Sequence, residues 1–289
     1  MRGVLLCFLI LPVVVGCRLQ SDRSYLEATP VEVVEGRSSQ SYNPNSPWYR
    51  ESAEKTWYFD GFVGAELAPD YVGSDDYETE PELDLRVLYV DPWENRHSLS
   101  LGQWNSSFDL TEDTVLQLKF EYEEGRESDD NDALTGLDDQ DATVELQATL
   151  GYRFGDFSIA AVAQPDLLGR GKGFVGFVAL GYDRVLLDER LRVAAVLDVS
   201  LGDGTHMDNE FGIERAEAAT TAYAHYEPGG GWKSSTFGVE AEYFVTDGWS
   251  VLLGTEMEYY FDKAADTPLI DDEGSRFGFE GFLGVRYRF

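Results

Sequence analysis

The feature that most constrains this chain is a period-two alternation that closes it. Phe277, Phe279, Gly281, Leu283, Val285, Tyr287 and Phe289 alternate with Arg276, Gly278, Glu280, Phe282, Gly284, Arg286 and Arg288. Successive side chains of a strand point to opposite faces, so one face of this segment is apolar and largely aromatic while the other carries the charge. That pattern suits a strand with lipid on one side and a polar lumen on the other, ending in an aromatic girdle at Tyr287 and Phe289. A soluble sandwich shows the same alternation but has no reason to end on an aromatic rim.

The alternation recurs from Trp57 onward, with a first strand over Trp57–Leu67, in segments of about ten residues, the length a tilted membrane strand needs. Leu116, Leu118, Phe120 and Tyr122 alternate with Gln117, Lys119 and Glu121. The same holds for Val144 to Phe154, Leu191 to Leu201 and Trp249 to Phe261, each with its charges on one face. No stretch after residue 17 approaches the ~20 apolar residues of a membrane helix, which excludes a helical membrane protein. The net charge of -32 disfavours nucleic acid as a partner, because phosphate binding requires clustered Lys and Arg.

The connections give an independent check. Gly155-Asp156, Leu187-Asp188-Glu189 and Thr246-Asp247-Gly248 are tight turns, and between them fall longer acidic or Gly-rich connections near 124–141, 165–172, 203–231 and 263–275. Outer-membrane barrels alternate short periplasmic turns with longer outer loops in this way. With both ends of the domain periplasmic the strand number is even. His97–Gln103 and Asn105–Leu110, read as two short strands bent at Trp104, make the total about twelve; read as one strand or as an inward fold, the region gives eleven or ten. The expected fold is thus an all-β, antiparallel transmembrane barrel over 57–289.

Before the barrel, residues 1–17 read as a signal peptide: a basic start at Arg2, an apolar run from Val4 to Val15, then Gly16. Val14-Val15-Gly16-Cys17 resembles a lipobox, which makes Cys17 a candidate lipid anchor; the alternative is ordinary cleavage near Gly16. Residues 18–56, rich in Ser, Glu and Pro, read as a flexible periplasmic tether.

No chemistry stands out. The acidic runs Asp129–Asp132 and Asp138–Asp141 lack the glycine and final glutamate of a calcium loop, so no metal or cofactor is expected. Glu214–Ala219 are good helix formers and suggest a short helix at the barrel mouth. His97, His206 and His225 show no orienting carboxylate at a recognisable spacing, and no hydrolase or metalloprotease motif is present.

Several segments resemble the MipA/OmpV family of outer-membrane proteins. Gly64 to Tyr77 matches that family's signature through Pro69, Asp70, Tyr71, Gly73, Ser74, Asp75, Asp76 and Tyr77. Further matches are Asp132–Leu137 with Asp141–Thr143, Gly151–Gly155, Ala264–Ile270 with Asp272 and Gly274-Ser275, and the end at Gly284–Phe289; 96–111 matches poorly. The resemblance implies a non-enzymatic barrel, without cofactor, that scaffolds a murein transglycosylase and a penicillin-binding protein. Contact with outer-membrane lipid and lipopolysaccharide, and recognition of Tyr287 and Phe289 by the barrel-assembly machinery, are further expectations. Alternatives are a small-solute pore or osmotic-response protein and, with least support, a lipid-modifying hydrolase. For the signature loop, two readings stand side by side: a recognition or cation-bridging site, and a turn whose carboxylates bond backbone amides.

Overall fold

The computed structural model describes residues 57–288, apart from positions 94, 124, 127, 129, 130, 141, 168, 170 and 171. The signal segment, Cys17, the tether and Phe289 lie outside the described residues. Twelve antiparallel strands close into one barrel, each hydrogen-bonded to its sequence neighbour and β1 to β12. They are β1 Trp57–Pro69, β2 Tyr77–Val90, β3 Arg96–Ser100, β4 Gln103–Asp109, β5 Thr114–Glu123, β6 Thr143–Phe154, β7 Phe157–Pro165, β8 Phe174–Leu186, β9 Leu191–Gly202, β10 Gly231–Phe244, β11 Trp249–Tyr260 and β12 Phe277–Arg288. Full closure removes every sheet edge along these ladders, which a membrane-spanning sheet requires.

Alternation fixes which face meets lipid. Val63, Leu83, Leu85, Leu150, Val178, Leu180, Leu197, Leu253 and Leu283 are exposed on the outside. At the end that carries the tight turns, aromatic rings run side by side: Trp57–Tyr89 and Trp249–Tyr287 at 4.6 Å, Phe154–Phe157 at 6.1 Å and Phe157–Tyr182 at 5.2 Å. Such rings sit where hydrocarbon meets headgroups, so this belt marks the periplasmic interface. Tyr122, Trp232, Tyr259 and Phe277 are exposed near the opposite end.

The interior is not uniformly polar, contrary to the alternation read as lipid against lumen. Val162, Val175, Phe177, Ala179 and Val196 form an inward apolar cluster on β7, β8 and β9. Phe62, Leu252 and Phe282 form another, with the two rings edge to face at 6.2 Å. Glycines make room for these rings: a Cβ on Gly254 would lie 2.1 Å from Phe282, and one on Gly284 2.2 Å from Phe62. Toward the periplasmic end the inside turns ionic. Glu242, fully buried, accepts from Ser250 Oγ at 2.6 Å and lies 3.7 Å from Arg286 and 3.5 Å from Arg288, while Arg192 pairs with Asp183 at 2.6 Å. The basic face of the last strand is therefore neutralised across the barrel interior.

Two expectations shift. The β3–β4 bend falls at Leu101–Gly102, not at Trp104, because Gly102 has φ +77 whereas Trp104 lies within β4, opposite Leu99 and facing outward. The first strand also extends two residues beyond Leu67, to Pro69.

Candidate functional site

The outer end of the barrel is where the long connections meet. Four of them, 70–76, 124–142, 203–230 and 261–276, interlock over the mouth. The 203–230 connection opens with α1, Gly204–Phe211, because Asp203 caps it by accepting from the His206 amide at 2.8 Å. The 261–276 connection carries two single-turn helices, α2 Asp262–Ala265 and α3 Pro268–Asp271. The helix expected at Glu214–Ala219 is reduced to one 3-10 turn, Glu217–Ala219. There the Glu217 carboxylate is occupied elsewhere, accepting from the amides of Glu214 and, at 2.8 Å, Asp138.

Two apolar clusters fill the space between these loops. Met207, Phe211, Tyr260, Ala264, Ala265 and Ile270 pack with Val72; Tyr71, Leu134, Leu137, Ile213 and Leu269 pack with Tyr223 and Tyr226. Each large side chain so buried contributes about 1.5–3 kcal/mol relative to exposure. Polar bonds stitch the same loops together. Tyr223 Oη donates to Ala133 O at 2.7 Å, Tyr226 Oη to Lys263 O at 2.7 Å, Thr267 Oγ1 to Phe211 O at 2.7 Å and Gln140 Nε2 to Asn209 O at 2.7 Å.

The signature loop is part of this seal. Tyr71 and Ser74 are buried, whereas Asp75, Asp76 and Tyr77 are exposed. Pro69 ends β1. Asp70 Oδ2 accepts from Asn131 Nδ2 at 2.9 Å, joining the first loop to the 124–142 loop. The amide of Asp76 is held by the Ser74 hydroxyl at 3.1 Å, so a hydroxyl, not a carboxylate, serves the turn. Gly73 combines φ +85 with a site where a Cβ would lie 2.3 Å from Ile270, and its carbonyl accepts from Ser275 N at 2.8 Å. Burial first, then Tyr223, pushes the Tyr71 phenol up to about 12. At the other end of the barrel Tyr287 stands in the periplasmic aromatic belt, its ring tilted against Trp249.

Ionic groups tie α1 to its surroundings. Burial would raise the Glu210 carboxyl, but Lys172, Lys233 and Arg126 outweigh it and hold the group at about 2. Burial, reinforced by Lys233, lowers His206 to about 4. His206 Nδ1 lies 3.1 Å from Lys172 O, and His225 Nδ1 lies 2.7 Å from Ile213 O with Glu227 3.1 Å from its Nε2. His97 is elsewhere, on the lipid-facing wall near the periplasmic end. Asp91 lies 3.5 Å from its ring, a carboxylate that the sequence alone does not point to. That carboxylate is six residues upstream and is brought back by a turn, so no strand spacing announces it. Among the described residues no group of three or more His, Cys, Asp or Glu is placed to hold a metal ion.

A closed twelve-stranded barrel with an aliphatic outer wall, an aromatic interfacial belt and a loop-sealed mouth defines an outer-membrane β-barrel of a Gram-negative envelope. Residues 62–289 match the family described as MltA-interacting protein MipA, and the chain belongs to that family. No curated protein matches it. Among solved structures it is similar to OprB of Pseudomonas putida, at 8% identity over 86% of this chain and 97% of that one, with a TM-score of 0.41. It is also similar to OmpT of Vibrio cholerae, at 10% identity over 82% and 99%, with a TM-score of 0.34. The KdgM porin gives 9% identity over 80% and 98%, with a TM-score of 0.37.

Proposed function

We propose that this barrel is an outer-membrane anchor whose periplasmic side gathers a murein-hydrolysing and a murein-synthesising enzyme. Membership of a family described by its interaction with MltA supports the reading. The observation that carries it is the sealed mouth: four loops locked by two apolar clusters suit a platform better than a conduit. In this reading the murein chemistry belongs to the partners. The tether 18–56, held by the membrane through the barrel and through acylated Cys17, keeps those partners near the surface at raised effective concentration. Tyr287 and Phe289 serve insertion by the assembly machinery, and the outer rim meets lipopolysaccharide.

Affinity capture from envelopes tests this directly. The intact protein should recover a lytic transglycosylase and a penicillin-binding protein, and deletion of 18–56 should weaken that recovery. Failure of the intact protein to recover either enzyme would sink the scaffold. The runner-up, a solute pore, is favoured by the inward polar residues Gln117, Lys119 and Gln147 on β5 and β6, and conductance across planar bilayers separates the two readings.

A further inference from the structure

The wall between β2 and β5 carries a polar chain on a face otherwise given to lipid. Residues paired across the strands read Trp57, Tyr89, His97 and Ser106 in one row on the outside of the barrel. Leu99 and Trp104, the next outward positions on β3 and β4, are exposed. Within the row, Ser106 Oγ lies 2.9 Å from His97 Nδ1, and His97 Nε2 lies 3.5 Å from Asp91 Oδ2. Asp91 is itself fixed, accepting from the amides of Trp93 at 2.8 Å and Asn95 at 2.9 Å and from Asn95 Nδ2 at 2.9 Å.

This order sets the tautomer. A carboxylate facing Nε2 favours the proton there, which leaves the Nδ1 lone pair toward the serine hydroxyl. The imidazole plane is held by Tyr89, stacked at 6.2 Å, and by the edge of Phe108 at 6.1 Å. Ser106 is only 6% exposed, so its oxygen is kept from bulk water. Nucleophile, base and orienting carboxylate are thus in sequence, the arrangement that activates a serine. The row begins in the periplasmic aromatic belt, at the depth where hydrocarbon meets headgroups and where the acyl esters of a glycerophospholipid lie. Ser98 and Ser107, next to His97 and Ser106 in sequence, point to the other face and take no part.

We propose that Ser106, His97 and Asp91 form an acyl-ester hydrolase site that acts on phospholipids of the periplasmic leaflet. The inference is independent of the scaffold reading. Ser106 Oγ bonds to the ester carbonyl carbon while its proton passes to His97 Nδ1. The carbon–oxygen bond to glycerol breaks, the glycerol oxygen takes that proton, and a lysophospholipid leaves. Water then gives a proton to Nδ1 and its oxygen to the acyl carbon, releasing a fatty acid and returning the proton to Ser106. One water is consumed and no oxidant is needed. Ser106 and His97 are the catalytic residues; Asp91 acts through His97 and is a positioning residue.

The test uses the full chain, folded in detergent, with phosphatidylethanolamine vesicles and a long-chain alkyl fluorophosphonate. The probe should label Ser106, identified by mass spectrometry, with release of free fatty acid from the vesicles. Ser106→Ala should abolish both, His97→Gln should lower both by roughly 10²–10⁴-fold, and Ser107→Ala should change neither. Asp91→Asn should lower kcat with KM little changed, and Asp91→Glu should recover part of that loss. Each variant is read only where heat-modified electrophoretic mobility shows a folded barrel. A folded wild type that neither takes the probe nor releases fatty acid overturns the proposal, as does release that survives Ser106→Ala. An Asp91→Asn variant that keeps the wild-type kcat overturns the positioning role.

Discussion

At the residue scale, single glycines determine whether aromatic side chains fit inside this barrel. Phe282 lies against Gly254 and Phe62 against Gly64 and Gly284, so that a Cβ on any of these glycines would lie 2.1 to 2.6 Å from the ring. Gly254→Val forces those atoms apart in a wall that cannot open without breaking ladder bonds. It should destabilise the barrel by about 1–3 kcal/mol, seen as a lower urea midpoint for unfolding in detergent; an unchanged midpoint would mean that Phe282 has space to swing. Gly73 is a different case, because its left-handed φ and the nearby Ile270 both oppose a side chain. Gly73→Ala should undock the first loop from the 261–276 connection, exposing the latter to protease while the urea midpoint of the barrel stays put. The aromatic partners are legible in the sequence as strand residues, but the reason for Gly254, Gly284 and Gly73 is not, since each is explained by a side chain on another strand or loop.

At the element scale, strands were easy to read and helices were not. Period-two alternation with lipid on one side leaves little choice of register, so the strands fall where the apolar positions require. The mouth has no period to read. Helix propensity favours Glu214–Ala219, yet the helix forms at Gly204–Phe211, where Asp203 caps it and Met207 and Phe211 find an apolar partner. Local preference loses there to tertiary packing. The charges on α1 give it a pH response with a definite sign. His206 is lowered in the seal to about 4 from an ordinary 6.5, so a released loop takes up a proton between those values and the seal does not. Glu210, held at about 2 against an ordinary 4.5, contributes stability that is present above 4.5 and fades as pH falls toward 2. Both groups therefore weaken the seal in acid, with Lys172, Lys233, Arg126 and Asp203 as the charges that face them. Protease cleavage within 203–230 should rise as pH drops from 7 to 4, and His206→Gln should flatten the upper part of that rise. A cleavage rate flat across this range would show that α1 is held by packing alone.

At the scale of the whole molecule, the question is what a sealed barrel with an apolar wall and acidic loops can accomplish in a membrane. Each of the two apolar clusters takes side chains from the 203–230 connection and from at least two of the other three loops, so removal of one loop weakens both together. Replacing residues 205–228 by a short Gly-Ser linker deletes Met207, Phe211, Ile213, Tyr223 and Tyr226 at once. It leaves the pairing of Gly202 with Gly231 that joins β9 to β10, so the wall remains closed. In planar bilayers at neutral pH the intact protein should be silent, and the shortened one should show steady ionic currents of cation preference, given the inward Glu256, Glu258 and Glu280. Two outcomes are informative in opposite directions. Steady currents from the intact protein would remove the argument from sealing and return the pore reading to first place. Silence from a folded, shortened protein would move the barrier down to the layer of Phe62, Leu252 and Phe282, and a Phe282→Ala change in the shortened chain should then open it.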